Sequence, residues 1–263
     1  MPTLDPILNH VAPFLLVLFR ISGLMVFSPV LSSSLLPLKL RAMLAICFSL
    51  AVYPTLIPVL KQPVAMDLFS LAPAVFYETL IGTAMGLMAS LPMYAVQLGG
   101  LVMGQQAGMS LGQIYNPALD VETDTLGQFL QYGALMVFVL MGGLEMLFVG
   151  LGHTFANVPL GMVSPSIGGA PVELMTGLVA SGFELALRVA APVLCIILVE
   201  TIASALLAKT IPQINVQSMG FSIKVVITLL VLMASITAVM HATGEDMSQT
   251  MGAVVGWAEG LGR

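Results

Sequence analysis

Six stretches of this chain, 7–30, 42–60, 68–103, 126–152, 172–208 and 220–241, are apolar over about twenty residues or more and carry almost no charge. A run of that length and character crosses a bilayer as a helix. Backbone N–H and C=O groups surrounded by hydrocarbon must bond within their own segment, so open strands are excluded. The expected fold class is all-α: integral-membrane-type helical hairpins with kinked or broken helices. Apolar residues are 58% of the 263, charged residues only 8%, and the mean hydropathy is +1.03. A soluble domain carries roughly 25% charged residues. Lipid or partner subunits must therefore cover what one chain cannot bury.

Two of the runs, 68–103 and 172–208, are too long for one straight span. Each contains a proline, Pro92 and Pro192, which deprives the helix of one hydrogen bond and predicts a kink or break. The net charge of -5 and the lack of a basic patch give no argument for a nucleic-acid partner, and none is expected. Cys47 and Cys195 both lie in apolar runs and read as small core residues rather than a disulfide or metal site. The N-terminus lacks the basic start of a signal peptide, so the first run is expected to be retained.

Glycine recurs at a spacing of four: Gly100, Gly104, Gly108 and Gly112, with a shorter pair at Gly82 and Gly86. Ser248, Gly252, Gly256 and Gly260 repeat the pattern near the C-terminus. This spacing bares one helix face and lets another backbone approach closely, within the chain or from another subunit. In the tail, Met247, Met251, Val254, Val255, Ala258 and Leu261 add an apolar face too short to span a membrane. A C-terminal docking helix over 246–263 is the expectation.

Arg20, Glu78, Glu145, Glu184, Arg188 and Glu200 fall in or at the ends of apolar runs. A bare charge there costs roughly 2.5–3.5 kcal/mol on insertion scales, so each needs a partner or water. Glu184 and Arg188, four apart with the acid first, share one helix face and are expected to neutralise each other as a buried pair. Arg20, Glu78, Glu145 and Glu200 have no local counterpart and must pair across helices, pair with another subunit, or face water, with Arg20 and Glu200 expected in buried ion pairs. His10, His153 and His241 show no metal-ligand spacing, and there is no H-E-x-x-H, Walker loop or G-x-S-x-G elbow. No enzyme, metal site or cofactor is expected.

The stretch G-Q-Q-A-G-M-S-L-G-Q-I-Y-N-P, beginning at Gly104, separates the third and fourth runs. Residues 104–112 can prolong the preceding helix by about two turns, weakened by glycine. Gln105, Gln106, Ser110 and Gln113 are polar yet uncharged, poor neighbours for lipid but suited to a protein-lined cavity. Asn116-Pro117 then turns the chain. The reading is a glycine-softened re-entrant loop, with a surface connector as the alternative.

Four motifs then combine: R-I-S-G-L-M-V-F-S-P from Arg20, the central stretch just quoted, E-L-A-L-R-V-A-A-P-V-L from Glu184, and I-P-Q-I-N-V-Q-S-M-G-F-S-I-K from Ile211. Together they resemble the FliR/SctT family, the R subunit of the bacterial flagellar type III export gate and its injectisome counterpart. The resemblance implies a P-subunit-like region over 1–170, a Q-subunit-like helical hairpin over 171–245, and a hairpin turn marked by Pro212, Gln213, Asn215 and Lys224. It implies a pore plug over 104–124 that includes Gln105, Gln106, Gly108, Met109, Ser110, Gly112, Gln113, Asn116 and Pro117. It further implies hetero-oligomeric partners (FliP, FliQ and FlhB), unfolded export substrates, and a place in the inner membrane at the flagellar basal body, with much of the gate held above the membrane plane. Helix and subunit packing is expected at Gly100, Gly104, Gly252 and Gly256. A secondary transporter or ion-channel subunit is the rival reading. It predicts paired broken helices in two related halves, of which Pro92 and Pro192 offer a faint version.

Overall fold

The computed structural model describes residues 5–32, 36–57, 68–109, 125–161, 170–210 and 216–260. Among these the elements are seven helices: α1 Asp5–Phe27, α2 Leu38–Leu56, α3 Leu68–Gln106, α4 Thr125–Leu140, α5 Gly143–Asn157, α6 Ala170–Thr210 and α7 Val216–Gly260. No strand occurs among the described residues. Five of the helices are long and apolar enough to cross a membrane. The fold is that of an all-α membrane protein.

The predicted fourth run is two helices, not one. α4 and α5 meet at a bend of 64°. Gly142, at φ 72° in the left-handed region, makes that bend and stands as the N-cap of α5. Met141 still donates its N–H back to the Val137 carbonyl, and Gly142 accepts from Met146, so both helix ends keep their bonds at the corner. The breaks expected at Pro92 and Pro192 are absent: α3 and α6 run continuously through both prolines. The tail expected as a separate docking helix is the last part of α7, which continues from Val216 to Gly260 without interruption.

The helices build two compact units. The first comprises Met1–Leu91, Gly142–Leu178 and Ser248–Arg263; the second comprises Pro92–Met141 and Val179–Met247. In the first, α1 and α3 cross at backbone contact. A Cβ on Gly23 would lie 2.5 Å from the Thr79 carbonyl oxygen, and one on Gly82 would run into the Arg20 carbonyl. Only glycine permits that approach. Leu16, Ile21 and Leu24 of α1, Ile81 and Met85 of α3, Leu147 and Leu151 of α5 and Val254 of α7 fill its core. In the second, Val96 and Met103 of α3, Leu130 and Phe138 of α4, Val189 and Val193 of α6 and Val239 of α7 are buried.

Burial is uneven. In the apolar windows 61% of α3 is buried, against 22% of α6 and 17% of α7. Cys47 and Cys195, expected in the core, are exposed on this chain. The last two helices are hydrophobic nearly all round, as a helix is when lipid or other subunits complete its burial.

Candidate functional site

The sequence places its functional weight on the end of α3, and the second unit shows how that end is made. α3 stops at Gln106 instead of continuing to Gly112. Gly108 takes φ 80°, Met109 donates its N–H to the Gly104 carbonyl at 2.9 Å, and Gly108 donates to the Gln105 carbonyl at 3.0 Å. This is the Schellman arrangement, two crossed bonds that close a helix around a left-handed residue. The period-four glycines therefore do different jobs. A Cβ on Gly100 would meet the backbone of Gly127 at 2.5 Å, one on Gly104 reaches only Leu126 at 4.0 Å, and Gly108 forms the cap. Gln105 and Gln106 are exposed at this terminus. Ser110, Gly112, Gln113, Asn116 and Pro117 lie outside the described residues.

A pocket of about 360 Å³ opens beside the cap, lined by Gln106, Gly108, Glu200, Ser204, Phe221 and Lys224 among others. Glu200 is nearly buried. Its Oε1 accepts the Ser204 hydroxyl, and its Oε2 faces Lys224 Nζ at 3.7 Å, an ion pair beyond hydrogen-bond reach. Lys224 thus serves α6–α7 pairing. Its companions in the predicted hairpin turn, Pro212, Gln213 and Asn215, lie outside the described residues.

The first unit holds the other polar centre. Arg20, fully buried on α1, donates through Nε to Glu78 of α3, through Nη1 to Thr154 Oγ1 at 3.3 Å, and through Nη2 to the Val158 carbonyl at 3.4 Å. Its guanidinium lies 4.5 Å from the centroid of the Phe155 ring. The second Glu78 oxygen accepts the Gly161 N–H at 3.0 Å, where the chain turns through φ 77°. Both charges are paired and most donors used, which is the condition under which a buried pair holds. Thr154, Phe155, Val158 and Gly161 carry no sequence signal for this role. The clues in the sequence are Arg20 and Glu78, each a charge in an apolar run without a local partner.

Glu184 and Arg188 do meet, Oε1 to Nη2 at 2.9 Å, but the pair is not buried: the side chains are 73% and 56% exposed. They stand on the outward face of α6, away from Leu185 and Val189, which turn into the unit. Gly252 and Gly256 also face outward, and a Cβ on either would meet nothing within 4 Å. No cluster of three or more metal-ligating groups forms among the described residues.

The model of a protein family described as bacterial export proteins, family 1, matches residues 11–250. The chain belongs to this family. Its likeness extends along whole relatives. It is 27% identical over 249 residues to the Yop proteins translocation protein T of Yersinia pestis, covering 94% of both chains. It is 24% identical over 257 residues to the flagellar biosynthetic protein FliR of Bacillus subtilis, covering 94% of this chain and 95% of that one. With the surface presentation of antigens protein SpaR of Salmonella typhimurium it shares 25% over 222 residues, covering 84% and 81%. This family member is a protein of the flagellar and type III export class, a structural component of export machinery rather than an enzyme.

Proposed function

We propose that this chain is an R-type subunit of a bacterial type III export gate, seated in the inner membrane at the flagellar basal body. It assembles with P and Q subunits (FliP and FliQ) and with FlhB, and helps form a channel for unfolded export substrates. The observation that carries this is the family match from residue 11 to 250, together with relatives in flagellar and virulence systems aligned over most of their length. Two features of the chain support it. The α6 and α7 windows leave most of their apolar residues uncovered, and Gly252 and Gly256 offer bare backbone with nothing against it. Such surface wants lipid or sister helices. In this reading residues 1–170 correspond to a P-type subunit, 171–245 to a Q-type hairpin and 246–263 to a docking segment.

Residues 104–124 are proposed as the plug of the channel. Support comes from the abrupt cap at Gly108 and from Gln105 and Gln106, uncharged and exposed at the point where the chain leaves α3. Uncharged amides close a narrow passage without fixing an ion in it. Purification in mild detergent tests the assembly: export-gate subunits are expected to accompany the chain, and a stable, active chain alone would overturn it. Deleting 110–117, beyond the cap, tests the plug. The complex should form, and cells should leak small ions; unchanged permeability removes the plug.

A further inference from the structure

α6 has 41 residues and α7 has 45, about 60 Å and more at 1.5 Å per residue, twice the hydrocarbon thickness of a bilayer. Half of each helix must therefore lie outside the hydrocarbon, and the side chains indicate which half. The helices run antiparallel, fixed at one level by Glu200 with Lys224 and at another by Ser181, whose hydroxyl donates to Asp246 at 2.7 Å. Near the second level the outward faces are polar. Glu184 pairs with Arg188, and His241 lies 3.4 Å from Glu245, both pairs exposed.

On the other side of this belt the outward faces are apolar. Leu198, Ile202 and Leu206 of α6 and Val226, Leu230 and Met233 of α7 are all more than half exposed. Between Arg188 and Lys209 lie twenty residues, 189–208, about 30 Å of helix. The single charge among them, Glu200, turns inward to Lys224 with 8% of its side chain exposed. The part of α7 that faces them in the register of these two contacts, 220–237, also carries a single charge, Lys224, which turns to Glu200. Exposed charged residues stand at both rims of the apolar stretch, the Glu184–Arg188 pair at one and Lys209 at the other, where headgroups and water can solvate them.

We infer that 189–208 with 220–237 is the lipid-facing surface of this pair, and that the Glu184, Arg188, His241 and Glu245 belt lies at the headgroup level. The inference rests on the membrane reading of the proposed function and sets its depth. The occupant is acyl chain, because the apolar length matches the hydrocarbon core and the charges sit at its edges; covering by sister subunits is the alternative that the test must separate.

With Cys47 and Cys195 replaced by serine, single cysteines at Leu198, Leu230, Glu184 and His241 carry a nitroxide in the full chain, held in its native complex in liposomes. Collision with oxygen reports acyl chains, and collision with a water-soluble nickel chelate reports water. The oxygen-to-nickel ratio is expected to be several-fold higher at 198 and 230 than at 184 and 241. Shielding of 198 and 230 from both reagents, or a ratio equal at all four sites, overturns the inference. Co-purification of the gate subunits with the same labelled chains is scored separately, so shielding within an intact complex counts against lipid contact alone. Native Cys195, exposed in the same stretch, gives the same reading in a Cys47→Ser chain without altering α6.

Discussion

Gly100 of α3 lies directly against Gly127 of α4: a Cβ added to Gly100 would come within 2.5 Å of the Gly127 Cα and 2.7 Å of its nitrogen. Both atoms are backbone and cannot swing aside. Gly100→Ala is therefore expected to push α3 and α4 apart, at a cost in the range of about 1–3 kcal/mol for overpacking. Gly252→Ala meets open space and should leave the isolated chain unchanged. Thermal melting of the two variants in detergent checks the contrast. Equal melting temperatures would refute it. A defect of Gly252→Ala that appears only on assembly would place a sister helix on that face.

Arg20 and Glu78 can be separated by a double-mutant cycle. Arg20→Met leaves the Glu78 carboxylate buried without its counter-charge, and an uncompensated buried charge costs about 3–5 kcal/mol. Glu78→Gln keeps an acceptor for the Gly161 N–H but strands the guanidinium. The double variant is expected to lose less than the sum of the singles, because no bare charge remains. Additive losses in chemical denaturation would show that the pair does not act as one unit.

The cap at Gly108 predicts a local effect. Gly108→Ala forces an L side chain to φ 80°, at about 1–2 kcal/mol. The amides of Gly108 and Met109, bonded to the Gln105 and Gly104 carbonyls, should exchange hydrogen faster. Gly104→Ala keeps helical φ and has room, so its exchange should match the parent. Similar exchange in both variants would remove the cap from the account of how α3 ends.

The Glu184–Arg188 pair is expected to contribute little to the fold. Exposed i,i+4 pairs give about 0.3–0.5 kcal/mol, so replacing both residues by glutamine should barely move the melting temperature. A large drop would mean the pair is buried in the folded chain after all.

Much of this architecture could be read from local sequence. Apolar run length located every long helix, because helices in a hydrophobic setting need only a local stretch without charge. The corner at Gly142 was missed although Met141-Gly142-Gly143 carries the signal: two glycines, one left-handed, interrupt an otherwise unbroken run. Neither Pro92 nor Pro192 breaks its helix, since a helix supported by neighbours tolerates the loss of one bond. Arg20 and Glu78 each announce a need for a partner, but nothing in the sequence joins them across 58 residues or points to Thr154, 134 residues from Arg20. The pair at 184 and 188 was legible because its members are four apart; its exposure was not, because orientation depends on how α6 packs against other helices.

That separation bears on how the protein is made. Arg20 leaves the ribosome 58 residues ahead of Glu78 and 134 ahead of Thr154. During that interval the first helix carries an unanswered cation in its apolar middle, at a cost of roughly 2.5–3.5 kcal/mol in hydrocarbon. Its final seat is available only after α3 arrives, and the bonds to Thr154 and Val158 form only after α5 and the residue that follows it. The first helix is thus made before the residues that secure it, and an early contact with an insertion factor or a waiting partner subunit would shield its cation in the meantime.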